Sequence, residues 1–403
     1  MSRLNVGNLF NENEDGAPVV SGISTFSSPN YFVPPSGSTA QRPSSPGEGM
    51  IRFNTDSGHL EYYTGTHWDD VIVNNQELGD HNLAADRSGS GTGARGLFAG
   101  GTAPSPTPFV DTIDYISIST LGNAQDFGNL TTVQASAAGL ASRTRGIFGG
   151  GYTPTMIKSI DFVTIASTGN ASDFGDLTLT TRGSFACSNS TRGLIGGGQG
   201  PGADLQNNID YITIASTGNA NDFGDLTGTI GFIKGCSSSV RGVFGGGEIS
   251  PAQINVIQYV TISSTGNAQD FGDLTVARGY AASCSSSTRG VFGGGYPATN
   301  VIDFITISST GNALDFGDRT SATYGSSACS NSVRGVWGGD SGNSGTIDFV
   351  TIAATGNASD FGDLSVGRNI PGACSNGHGA VSYTHLRAHE TLRYLVCRLL
   401  LEK

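Results

Sequence analysis

Residues 264–274, STGNAQDFGDL, contain Asp-Phe-Gly, the tripeptide whose carboxylate holds a magnesium ion over the phosphates of ATP in phosphotransfer enzymes. Other stretches offer chemistry too. Glycine runs such as 245–247 could cradle a phosphate with backbone N–H groups, and His385 and His389, spaced i, i+4, could clamp a metal ion. Arg145, Arg192, Arg241, Arg289 and Arg334 recur at a spacing that could ring an anion. The Gly-Asn-Ala-x-Asp-Phe-Gly-Asp turns carry carboxylate and amide oxygens of the kind calcium takes as ligands.

Context decides among these. Asp-Phe-Gly occurs at Asp126, Asp173, Asp222, Asp270, Asp315 and Asp360, whereas a catalytic loop is needed once. There is no His-Arg-Asp loop and no G-x-x-x-x-G-K-[ST], and each glycine run lies between strand-like segments with no following helix. The acidic turns match neither EF-hand nor nonapeptide spacing. The arginines are expected to pair with nearby Asp176, Asp225, Asp273 and Asp363. No catalytic residue, cofactor site or metal site is assigned, and the chain reads as a binding protein and not an enzyme.

The repeat is therefore the unit to explain. Arg-Gly followed by two apolar residues recurs on the same beat, at Arg95, Arg145, Arg192, Arg241, Arg289 and Arg334, in most copies running into three glycines. One unit, residues 279–320, divides into GYAASCSSST, RGVFGGG, VIDFITISST and NALDFGDRT, four strand-length segments without helical periodicity. In the third, Ile302 and Phe304 point one way and Ile305 and Ile307 the other, so this strand needs neighbours on both faces. Sheets stacked around an axis supply them. The first segment, nearly all Ala, Ser, Cys and Gly, suits the crowded innermost strand, and Cys187, Cys236, Cys284, Cys329 and Cys374 read as small buried side chains. The Phe of Asp-Phe-Gly is the anchor of the outer strand.

These residues resemble the Kelch repeat of β-propellers over residues 85–381. Gly149-Gly150, Gly245-Gly246 and Gly293-Gly294 stand at the glycine pair of that repeat, and Phe162, Tyr211, Tyr259, Phe304 and Phe349 where it often has Tyr. Phe174, Phe223, Phe271, Phe316 and Phe361 stand where Trp is usual. The expected fold is an all-β, Kelch-like β-propeller over 81–381 with six blades visible. Residues 368–381 either complete the first blade, whose opening strand near 86–93 is poor in apolar residues, or begin a truncated seventh. A trimeric β-solenoid fibre is the alternative architecture.

In such blades one face carries the near-identical Ser-Thr-Gly-Asn-Ala turns. The other carries loops that differ in every repeat, and recognition is expected there. Phe109, Tyr152, Phe232, Tyr280 and Tyr296 are the candidate binding residues, as exposed aromatics suit sugar faces and protein surfaces.

Residues 1–80 are different in kind. The string GMIRFNTDSGHLEYYTGTHWDDV (49–71) reads as a β-hairpin turning at Asp56-Ser-Gly. It resembles segments of phage tail fibres and related virion proteins, through Gly49, Ile51, Arg52, Phe53, Asn54, Thr55, Gly65 and Trp68. The Ser-Thr-Gly-Asn-Ala-x-Asp-Phe-Gly-Asp repeats likewise look like those of marine phage structural proteins. That resemblance implies a virion protein, mounted on other virion proteins by its N-terminal region and presenting its propeller to a host-surface glycan or protein, with homo-oligomers an option. A glycan-active enzyme and an intracellular Kelch scaffold are the other function classes weighed.

A formal charge of −12 argues against a nucleic-acid partner, and no apolar run is long enough for a signal peptide or a membrane-spanning helix. Synthesis in the host cytoplasm and a place in the virion are expected. The last 22 residues, 382–403, lack glycine and resemble translated sequencing-adapter sequence; an oligomerising helix is the competing reading.

Overall fold

The computed structural model describes residues 34–57, 59–71, 94–104 and 108–377, and the chain divides into two compact units, Met1–Asn75 and Gln76–Lys403. The segments 86–93 and 382–403, with His385 and His389, lie outside the described residues.

The first unit is a small sheet. β1 (Ser36–Gly37) lies parallel to β2 (Ile51–Asn54), which forms the expected antiparallel hairpin with β3 (His59–Tyr63). β4 (Trp68–Val71) pairs with the other edge of β3. Strand alternation puts Arg52 and Asn54 on one face and Ile51 and Phe53 on the other. It is the polar face that is covered: Glu61 is fully buried, bonded by Arg42 and by Asn54 Nδ2 at 3.0 Å, and the Arg42 guanidinium holds its carboxyl below the usual value. Ile51 and Tyr62, cross-strand partners, are 53% and 39% exposed.

The second unit is all-β. Among the described residues it contains six four-stranded antiparallel sheets, each ordered from inner to outer strand along the chain except one. In that one, Gly372–Ser375 supplies the inner strand to Arg95–Ala99, Thr112–Ser117 and Gln125–Asn129. The late segment thus completes the sheet whose other strands come first. Numbered by these, sheets 1 to 6 have inner strands Gly372–Ser375, Ala138–Ala141, Phe185–Ser188, Lys234–Ser237, Ala282–Ser285 and Ser327–Ser330. Each inner strand touches the next, and that of sheet 6 returns to that of sheet 1, a β-propeller-like arrangement.

The core lies between sheets. Phe271 of sheet 4 packs with Phe292, Ile305 and Ile307 of sheet 5, and Val336 and Phe361 of sheet 6 with Phe98 and Ile116 of sheet 1. The inner cysteines are free, buried and seated on glycines of the next sheet. A Cβ on Gly242 would stand 2.6 Å from Cys187 Sγ, and one on Gly335 2.5 Å from Cys284 Sγ. This seat explains the glycine of Arg-Gly: any side chain there would collide with the neighbouring sheet.

At one end of the axis a belt of serines links the inner strands. Ser188 Oγ donates to Ala141 O, Ser237 Oγ to Ser188 O, Ser285 Oγ to Ser237 O, Ser330 Oγ to Ser285 O and Ser375 Oγ to Ser330 O. The circle is broken only where Ala141 has no hydroxyl to give Ser375 O. Ala141→Ser is expected to close it and add about 1 kcal/mol, raising the melting temperature by about 2 °C. A melting temperature equal to or below that of the parent chain would count against the belt.

Each third strand carries one buried polar residue that holds the turn after the preceding outer strand. Asp161 accepts from Thr131 N and Oγ1, Asp210 from Thr178 N and Oγ1, and Gln258 from Thr227 N at 2.8 Å. Asp161 is 2% exposed, and its burial pushes the carboxyl pKa above the ordinary 3.8, with Asp173 adding to the shift. A raised folded-state pKa means that Asp161's contribution is complete below the unfolded value and is lost as pH climbs through the folded one. Gln258 shows that a neutral amide fills this role. Asp161→Asn is therefore expected to hold or raise stability at neutral pH and to flatten its decline above about pH 4, read from melts from acid to neutral pH. A lower melting temperature at neutral pH with an unchanged slope would contradict this.

Candidate functional site

The two ends of the axis use their residues differently. At the end of the Ser-Thr-Gly-Asn-Ala turns, the side chains that recur from repeat to repeat are spent on joining sheets. The turn of each sheet lies along the outer strand of the one before: Gly218 N donates to Phe174 O, Ala220 N to Asp176 O, and Asn219 Oδ1 accepts from Asp176 N at 3.0 Å. The junction from sheet 6 to sheet 1 repeats it with Gly122, Ala124 and Asn123. Gly175 of Asp-Phe-Gly has φ +145°, and a Cβ there would meet Gly218 O at 2.5 Å, so only glycine admits the strap. The phenylalanines of this motif are buried, as in Phe223 at 2%. The asparagine oxygens considered for calcium already accept main-chain N–H groups here.

The arginines do not pair with Asp176, Asp225, Asp273 or Asp363 as expected. Each lies over the aromatic ring of its own third strand and donates to a main-chain carbonyl of the next sheet. Arg192, for example, is 4.6 Å from the Tyr211 ring and bonds Ile262 O at 3.0 Å. Arg334 closes the series on Ile118 O at 3.2 Å. A guanidinium satisfied by a carbonyl and an aromatic face has no need of a carboxylate.

The opposite end is built from the variable loops and the linkers between sheets, which meet in bridges such as Ala135–Tyr152, Arg182–Gln199, Gly231–Glu248 and Gly279–Tyr296. Just before each inner strand stands one residue in the left-handed region: Ser136 (φ 60°), Gly183 (64°), Phe232 (52°), Tyr280 (54°), Gly325 (75°) and Ile370 (45°). Their backbones are hydrogen-bonded around the mouth. Ser136 N donates to Ile370 O, Gly183 N to Ser136 O, Tyr280 N to Phe232 O, Gly325 N to Tyr280 O and Ile370 N to Gly325 O. The backbone repeats here while the side chains do not.

Those side chains form a continuous arc. Phe109 meets Tyr152 edge-on at 5.6 Å, the Arg182 guanidinium lies 4.7 Å from Tyr152 and 5.8 Å from Phe232, and Phe232 stacks on Tyr280 at 4.0 Å. Tyr324 then contacts both Tyr280 (6.0 Å) and Tyr296 (5.3 Å). All five candidate aromatics are thus brought together. Phe232 is a correction: it is 5% exposed, covered by Tyr280 and lying over Gly183, where the sequence suggested an exposed ring. Tyr296 is 44% exposed, and Phe109, Tyr152 and Tyr280 are half-buried. Burial, with the Glu248 carboxylate adding to it, pushes the Tyr280 phenol up to about 12, so it remains a hydroxyl donor. Arg182 and Tyr324 were missed; aligning the repeats on the inner strand would have found them, since both immediately precede the left-handed position.

Among the described residues, no three His, Cys, Asp or Glu side chains cluster as metal ligands. The arrangement offers ring edges, hydroxyl donors and one guanidinium around a rigid rim, chemistry suited to binding. No protein-family model matches the chain, and no curated protein matches it in sequence.

Proposed function

We propose that this chain is a structural and adhesion protein of a phage particle, of the tail-fibre or appendage type, whose second unit is a six-bladed Kelch-type propeller. The N-terminal unit mounts it on other virion proteins, a role supported by the exposed Ile51, Phe53 and Tyr62 on one face of its sheet. The aromatic mouth binds a glycan or protein of the host surface, and binding alone is its work.

One observation carries this reading. Six positions with equivalent backbones around the mouth hold five different residue types, only glycine appearing twice, whereas the equivalent positions at the other end are nearly uniform. Two of the six are aromatics in a left-handed conformation that costs on the order of 1–3 kcal/mol each, although Gly183 and Gly325 show that glycine serves there without strain. Holding Phe232 and Tyr280 in place against that cost supports a role for their rings. Purified full chain is expected to bind saturably to host cells and to a subset of arrayed bacterial surface glycans. Absence of binding to both would overturn the adhesion reading.

A further inference from the structure

The inner strands of sheets 2, 3, 4, 5, 6 and 1 open on Ala138, Phe185, Lys234, Ala282, Ser327 and Gly372. One of these is a cation. Lys234 lines an axial cavity of about 40 Å³ together with Ser184, Ala186, Ser283, Ser327 and Ala328, and no lining residue carries a carboxylate. Among the described residues its ammonium has no hydrogen-bond or ion-pair partner. The hydroxyls around it are already committed as donors, Ser184 to Gly197 O at 3.0 Å, Ser283 to Gly235 O at 2.9 Å and Ser327 to Pro371 O. None of them bonds or neutralises the ammonium.

Lys234 is half-buried, and an ammonium facing a confined channel without a carboxylate favours proton loss or a counter-ion. Burial pulls the Lys234 pKa down to about 8, which still leaves the amine largely charged at neutral pH. The other ionisable groups along the channel are thiols, and burial pushes those of Cys236 and Cys374 up to about 12, so they stay neutral. Size sets the ligand class: a water takes roughly 30 Å³ of liquid and needs about 10–15 Å³ of such cavity space, so this cavity admits a few waters or a small ion and no sugar ring.

We propose that the channel beneath the mouth is a binding site for one small monoanion, chloride or the carboxylate head group of a ligand, anchored by Lys234. The test is a set of thermal melts of the full chain and of Lys234→Met and Lys234→Ala, with sodium chloride and sodium acetate titrated separately at constant ionic strength. Ala282 occupies the equivalent register, so alanine suits the site. The parent chain is expected to gain about 2 °C per tenfold rise in anion above its Kd, a gain missing from both variants. Deprotonation of the amine should weaken the apparent anion affinity about tenfold for each pH unit above about 8. A response to chloride assigns the free ion, and a response to acetate assigns the carboxylate. As a readout independent of variant folding, the Lys234 amine, followed by NMR in the parent chain, should titrate at higher pH with saturating anion. Equal salt responses in parent and variants, or an amine titration that anions leave unmoved, would overturn the site and leave a lysine satisfied by water.

Discussion

Asp114→Ala is expected to destabilise the second unit by about 3–5 kcal/mol and to lower its melting temperature by about 5–8 °C. Asp114 and Arg368 are both fully buried and meet at 2.8 Å. The same guanidinium donates to Phe98 O and Thr112 O at 3.1 Å, while Ser365 N and Oγ donate to Asp114. The pair therefore clamps the linker that leaves sheet 6 onto sheet 1, at the junction where the first and last described strands of the second unit pair. Removing the carboxylate leaves a buried cation without compensation, which accounts for most of the loss. Two internal comparisons sharpen the expectation. Arg368→Met in the Asp114→Ala background should recover part of the stability, because the uncompensated charge goes with it. Asp210→Ala, whose carboxylate faces Thr178 and no cation, should cost less, about 1–3 kcal/mol. Denaturant melts of the four proteins check this, and a loss below about 1 kcal/mol for Asp114→Ala would refute the clamp.

Ending the chain at Gly367 is expected to have a larger effect still, the loss of cooperative unfolding. It removes the strand Gly372–Ser375, on which Arg95–Ala99 relies for its inner hydrogen bonds. Cys374 then no longer fills the space beside Gly146, and the serine belt loses Ser375. Sheet 1 would present an unpaired edge and an open core to solvent, a state prone to association. A chain ending at Gly377 keeps every one of these contacts and should melt like the full chain. A cooperative transition at unchanged temperature for the shorter chain would show that closure is dispensable.

Much of this was legible in the sequence because each repeat states its own strand pattern. Phe271, repeated six times as the Phe of Asp-Phe-Gly, could only be an anchor, and the Ser-Cys segments were read correctly as the crowded inner strands. What the sequence hid lies between repeats. Arg192 is within reach of many acidic side chains on paper, and only the packing of sheet 3 against sheet 4 shows that its partner is the carbonyl of Ile262. The amide oxygen of Asn219, of the kind calcium takes, accepts instead from Asp176 N, a contact that crosses from one repeat to another. At the mouth, Phe232 was expected in solvent, yet its left-handed backbone folds the ring over Gly183. In the first unit, Ile51 and Phe53 alternate as a core strand should, and the buried Glu61, held by a half-exposed Arg42, reverses which face is covered.

The central claim is that recognition resides at the aromatic mouth and not at the uniform end. Binding of the full chain to host cells, measured beside Tyr152→Ala, Tyr296→Ala and Tyr324→Ala at the mouth and Asp173→Ala on the exposed outer strand, tests it most directly. The mouth variants are expected to bind at least about tenfold more weakly at unchanged melting temperature, as aromatic anchors of an interface do, with Asp173→Ala indistinguishable from the parent. Full binding by all three mouth variants would contradict the account.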